Sequence, residues 1–152
     1  MKNRMSAGIG VLVLAISFAI IGVNGFAQPP KPSEKKDEDT HHNAAHQECA
    51  KICSDCQRTC DMCASHCAHL LADGHKDHLS CLRHCRDCAT ICTACARICA
   101  ADGPLSSTIA ECCARACDHC AKACEAFPND QHLKACAEEC RKCEKACKAL
   151  PR

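Results

Sequence analysis

Beyond residue 44 one small, weakly polar residue type, cysteine, recurs at a fixed step among Lys, Arg, Glu, Asp and Gln. The first stripe is Cys49, Cys53, Cys56, Cys60, Cys63 and Cys67. The second is Cys81, Cys85, Cys88, Cys92, Cys95 and Cys99, with the same spacing of four, three, four, three, four. The third holds Cys113, Cys117, Cys120 and Cys124, and the fourth Cys136, Cys140, Cys143 and Cys147, each stepping four, three, four. A mean step of about 3.5 residues keeps side chains on one face of a bundled helix, whereas a strand would repeat every two.

Turn signals interrupt the pattern between stripes: Asp73-Gly74, then Asp102-Gly103-Pro104, then Phe127-Pro128-Asn129-Asp130. Ser106 or Ser107 is a candidate cap for the third helix, and Asn129 or Asp130 for the fourth. Short connections make consecutive helices antiparallel neighbours. The expected fold is all-α: an up-down-up-down four-helix bundle over residues 44–150 with a cysteine-lined core.

The N-terminal part has a different pattern. Lys2 and Arg4 precede an apolar run from Ile9 to Ile21, and Gly25-Phe26-Ala27 offers small residues at a cleavage site. Residues 1–27 read as a secretory signal peptide cut before Gln28. The apolar run is short for a membrane span, so no stable insertion is expected once the signal is removed. Residues 28–43 are Pro-rich and then charged, the composition of a tether. Location is expected to be outside the cytoplasm, in the periplasm.

Composition sharpens the picture. The chain of 152 residues has 21 cysteines, no Trp, no Tyr and three Phe, two of which (Phe18 and Phe26) fall in the leader. Little remains to fill an ordinary core, so the interior must be sulfur or something that sulfur binds. Removing residues 1–27 leaves 17 basic against 18 acidic side chains. With no basic stripe and no stacking aromatics, nucleic acid is not an expected partner.

Three chemistries compete for the stripes. As a purely apolar seam, thiols on all four helices would fill the interior poorly. Disulfides within a helix are geometrically poor, because i and i+4 Cβ atoms lie about 5–6 Å apart where a disulfide needs about 3.8 Å. Cross-helix disulfides would face many competing pairings.

Metal binding uses the same geometry well, since twenty of the 21 cysteines form ten C-x-x-x-C pairs whose sulfurs can swing around one soft ion. Cys112 is left over, about 100° around its helix from Cys113. Soft thiolates select Cu(I), Zn(II) or iron–sulfur clusters. One Cu(I) per thiolate leaves the interior neutral, whereas Zn(II) with four thiolates buries a net −2 at each site, which is strongly unfavourable.

The repeated C-x₃-C-x₂-C-x₃-C on each of four helices, over about residues 44–150, resembles the bacterial four-helix-bundle copper storage proteins. The resemblance implies many Cu(I) ions inside the bundle, held mostly by thiolate pairs, with His or Met assisting at an end. The chain departs from exported members of that family in lacking a twin arginine, and Met62 stands alone and out of phase.

Phase sorts the histidines. His42 and His46 continue the first stripe backward, His78 lies three residues before Cys81, and His132 four before Cys136. His78 and His132 are expected to converge at one end with His75, and His46 to sit at the other, near Cys99 and Cys112. Cys112, His46, His78 and His132 are thus secondary candidate ligands. His41, His42, His66, His69, His84 and His119 read as solvated or tether positions.

The expected function is copper storage or sequestration without catalysis. A zinc or other soft-metal buffer and a copper chaperone are the alternatives. A thiol oxidoreductase would need a βαβ context around its C-x-x-C, and none is present. Copper ions are the expected partner, with a homo-oligomer and a copper donor or acceptor protein left open.

Overall fold

A computed structural model describes residues 43–151. The expected signal peptide over 1–27, and the tether apart from Asn43, lie outside the described residues. The chain runs through α1 (Ala44–Ala72), a single 3₁₀ turn (Lys76–His78), α2 (Leu79–Ala100), α3 (Ser106–Glu125) and α4 (Gln131–Lys148). Each helix packs against two neighbours, α1 on α2 and α4, and α3 on α2 and α4, which closes the antiparallel square. Among the described residues no helix is long and apolar enough to cross a membrane.

Local chemistry sets the helix ends. The Asn43 side chain accepts from the Ala45 N–H at 2.9 Å and starts α1. At the end of α1, Gly74 has a φ of 96°, its N–H donates to the Leu71 carbonyl, and His75 N–H donates to Leu70. This is the left-handed helix stop that glycine makes without steric cost.

Helix α2 stops in the same way, but with Asp102 at a φ of 51° in the left-handed position. Aspartate is one of the few residues that tolerate that conformation, and here its carboxylate also bonds His46 Nδ1 of α1. The α2–α3 turn is thereby tied to the start of α1.

The caps of the last two helices differ from each other. Asp130 Oδ1 accepts from the N–H groups of His132 and Leu133 at 2.9 and 3.1 Å and caps α4, as expected. Neither Ser106 nor Ser107 caps α3, since the residue before its first turn is Leu105. The buried Ser106 hydroxyl instead donates to the Gly103 carbonyl at 2.7 Å, and Ser107 donates to Pro151 at 2.8 Å. Pro104 and Leu105 take up the residues before α3 in a turn, leaving Ser106 one position too late to cap.

The core is cysteine and alanine, with Leu133 and Leu150 as the large aliphatic side chains buried among the described residues. All twenty stripe cysteines are buried. In seven of the ten C-x-x-x-C pairs the residue after the first cysteine is a buried alanine: Ala50, Ala64, Ala89, Ala96, Ala114, Ala121 and Ala137. That position lies about 100° around the helix from its cysteine, on the flank that meets a neighbouring helix. Small residues there let the helix axes close on the sulfur column.

Leu133 is fully buried at the start of α4. Truncating it in a core otherwise built from small side chains leaves a void that thiols cannot fill. Leu133→Ala is expected to cost about 2–5 kcal/mol of metal-free stability, read from anaerobic denaturant unfolding.

Candidate metal centre

The bundle converts four linear stripes into one column of sulfur. From Cys99 the path runs to Cys95 at 3.9 Å, then to Cys49 within a group whose sulfurs all lie inside 4.8 Å. It continues through Cys147, Cys53, Cys113 and Cys92 in steps of 3.7, 3.6, 3.9 and 3.5 Å. Cys117, Cys56, Cys140 and Cys60 follow at 3.8, 4.0, 3.9 and 3.6 Å. The far end is reached through Cys136, Cys85, Cys124 and Cys81 at 3.9, 4.0, 3.9 and 3.2 Å. All 21 cysteines are free thiols.

Sequence spacing singled out pairs within a helix. Five of them have their sulfurs at 3.9–4.0 Å: 49/53, 56/60, 81/85, 88/92 and 95/99. Contacts between helices are at least as close, from 3.2 Å upward, and they gather sulfurs into fours. Cys49, Cys53, Cys95 and Cys147 form one such group, and Cys53, Cys113, Cys143 and Cys147 another. Three more are Cys56/Cys92/Cys117/Cys143, Cys56/Cys60/Cys88/Cys140 and Cys60/Cys120/Cys136/Cys140.

The groups overlap: Cys53, Cys56, Cys60, Cys140, Cys143 and Cys147 each belong to two. Tetrahedral ions could fill these groups together only as fused clusters with bridging thiolates, whereas ions of low coordination number use the shared sulfurs two or three at a time. At a metal–sulfur distance of about 2.3 Å, three sulfurs around one ion stand about 4.0 Å apart and two opposed ones about 4.6 Å. The observed spacings, from 3.2 to 4.0 Å, fall just short of that range, so small χ1 rotations open the column to metal with the backbone in place.

Electrostatics point the same way. The polar or charged residues buried among the described set are His78 and Ser106, so no lysine or arginine is buried beside the column to offset fixed negative charge. Without metal the thiols hydrogen-bond to one another, which lowers seven of them, Cys49, Cys56, Cys81, Cys88, Cys113, Cys136 and Cys143, while a dozen others are raised. Burial, with the neighbouring Cys81, pushes the Cys67 thiol up to about 12, and burial with Cys49 raises Cys99.

Five histidines, His46, His66, His75, His78 and His132, sit at the two ends. His46 lies at the α2–α3 turn on Asp102, beside the end of α2 that carries Cys99. Cys112 is not with it, being exposed in the outer groove between α2 and α3.

At the other end His78 and His132 do not converge. His78 is 8 % exposed, donates from Nδ1 to the Asp77 carboxylate at 3.0 Å, and stacks on Phe127 with ring centres 4.2 Å apart. His75 meets it edge-on at 6.1 Å. His132 stacks instead on His66 at 4.4 Å, and His66 Nε2 bonds Asp130 Oδ2 at 2.7 Å. Burial pushes the Asp130 carboxyl up, but the bonds from His66 and from the backbone of Leu133 and His132 outweigh it and hold the group below its ordinary value.

Phe127, expected only as part of a break, and His66, expected to be solvated, both belong to this end. Phe127 is signalled only by its place just after α3, and His66, well inside α1, carries no such signal. Met62 is exposed, as its phase implied.

A four-helix bundle enclosing an unbroken thiol column is a container for many soft metal ions. The family model described as "Csp: Copper storage protein" matches residues 41–152, and the chain belongs to the copper storage protein family.

Solved structures agree. The "Cu(I)-bound Copper Storage Protein BsCsp3" is 29% identical, with a TM-score of 0.64 over 71% of this chain and 99% of that one. The copper storage protein Ccsp from Streptomyces lividans, loaded with 10 copper equivalents, is 32% identical at a TM-score of 0.59, covering 68% of this chain and 81% of that one. The same organism's protein, described as cytosolic and carrying five coppers, is 32% identical with a TM-score of 0.59, over 68% and 89%. No curated protein sequence matches the chain.

Proposed function

We propose that this protein stores copper as Cu(I), many ions to a chain, on the twenty cysteines of the four stripes. The observation that carries this reading is the unbroken buried thiol column with no lysine or arginine among the buried residues described. A monovalent ion replacing each thiol proton keeps that interior neutral. Zn(II) in four-thiolate sites would bury a dianion at each one with nothing to offset it.

Similar structures carrying 10 and five coppers support the same reading. Delivery by a chaperone needs one or two accessible ligands, whereas here all twenty thiols are buried. No catalytic step is part of this function. His46, His78 and His132 stand at the column ends as secondary ligands.

Anaerobic titration of the reduced protein against a competing Cu(I) chelator tests the proposal. Well over about ten ions are expected per chain, because the column offers twenty thiols. Saturation at one or two equivalents would point to a chaperone. Cys56→Ser together with Cys60→Ser is expected to lower the capacity by a few ions and leave the rest, because Cys56 and Cys60 each serve two of the overlapping groups and the other groups stay intact.

We also propose that residues 1–27 direct export and are removed before Gln28, leaving residues 28–43 as a tether and the bundle to act in the periplasm. The basic start and apolar run of the leader support this. N-terminal sequencing of the protein recovered from cell fractions decides it: a chain beginning at Gln28 outside the cytoplasm is the expected result. An intact Met1 in the cytosolic fraction overturns it.

A further inference from the structure

Five histidines are accounted for at the column ends, three of them by an aspartate: His46 with Asp102, His66 with Asp130 and His78 with Asp77. His84 of α2 and His119 of α3 are placed differently. They face each other across the outer groove between those helices, with ring centres 6.1 Å apart and planes inclined at 35°.

Each immediately precedes a stripe cysteine, Cys85 and Cys120, so each is rotated about 100° away from the sulfur column. The groove encloses about 260 Å³ and is also lined by Asp87, Cys112 and Arg115. Asp87 stands three residues after His84, on the same face of α2.

We propose that His84, His119 and Asp87 form an external site for one divalent transition-metal ion of borderline softness, such as Cu(II), Ni(II) or Zn(II), separate from the thiol column. Imidazole nitrogen suits these ions, and a carboxylate completes a two-nitrogen, one-oxygen set with positions left for water. At a metal–nitrogen distance of about 2.0–2.1 Å the ion lies about 3.2 Å from each ring centre, so two rings sharing it stand about 5–6.4 Å apart. The observed 6.1 Å falls within that span.

Cys112 lies seven residues, two helical turns, before His119 and is outside the set. The exposed Arg115 guanidinium is the one unfavourable neighbour, and it has solvent to turn into. The protein then sorts metal by character: soft monovalent ions to sulfur inside, borderline divalent ions to imidazole outside.

Calorimetric titration of Ni(II) into the Cu(I)-saturated full chain tests this. The parent carries His41→Ala and His42→Ala, which removes the imidazoles near the N-terminus that would compete. One equivalent of Ni(II) is expected to bind. His84→Gln or His119→Gln is expected to abolish it, with helix content by circular dichroism and Cu(I) capacity unchanged. The proposal is overturned if the parent takes up no Ni(II), or if both variants bind it as the parent does.

Discussion

Saturating the reduced protein with Cu(I) is expected to raise its unfolding midpoint by several tens of degrees. A ligand that binds only the folded state at a thousandfold excess over its dissociation constant stabilises by about 4 kcal/mol at each site. Three independent sites already contribute about 12 kcal/mol, and each kcal/mol moves the midpoint of a domain of this size by about 4–8 °C. The metal-free protein starts low, because its core is built from thiols and alanines with Leu133 and Leu150 as its large aliphatics.

Helix content is expected to change little on loading, since the sulfurs already stand 3.2–4.0 Å apart along the column. Anaerobic melts followed by circular dichroism, with and without metal, measure both quantities. Equal midpoints would mean that copper does not enter the core. A large gain in helix would mean that the bundle is not preformed.

How much of this was written in the sequence depends on the length scale. The stripes specify the helices and their inward faces because cysteine repeats at a helical step with almost nothing else apolar to confuse the phase. Asp73-Gly74 and Asp130 specify two of the helix ends, since left-handed stops and aspartate caps are local chemistry. What stayed hidden is whatever depends on the offset between helices.

Spacing along one helix names pairs such as Cys56/Cys60. That Cys56 also meets Cys117 and Cys140 follows from the axial alignment of three helices. The histidines fail to pair as expected for the same reason. α1 is long enough, at 29 residues, to carry His66 alongside the start of α4, where it takes His132 away from His78.

A further signal in the sequence is the alanine that follows the first cysteine in most pairs. It marks the flanks on which the helices close, so the sequence contained the packing as well as the seam.

The second large effect is alkaline loss of stability in the metal-free protein, and its absence once copper is loaded. The sign follows from the thiols. A folded-state value raised above the ordinary 9.0, as at Cys67, which reaches about 12, means that the folded chain holds a proton the unfolded chain gives up. That contribution is fully present below pH 9 and is lost progressively as pH rises toward 12.

A single group would matter little, but raised thiols in the column outnumber lowered ones by twelve to seven. If only five of them were raised by one unit each, the loss would be about 7 kcal/mol, comparable to the whole stability of an ordinary domain. Metal-free protein is therefore expected to unfold between about pH 9 and 12 in denaturant-free buffer under reducing, anaerobic conditions.

Cu(I)-loaded protein has exchanged those protons for metal and has none left to lose, so its unfolding midpoint should stay flat across the same interval. The complementary measurement is proton release on loading at neutral pH, expected at about one proton for each thiol that takes metal. A loaded protein that melts with the same alkaline profile as the metal-free one would show that the thiols are not the ligands. A metal-free protein indifferent to pH would show that the thiols are not packed against one another.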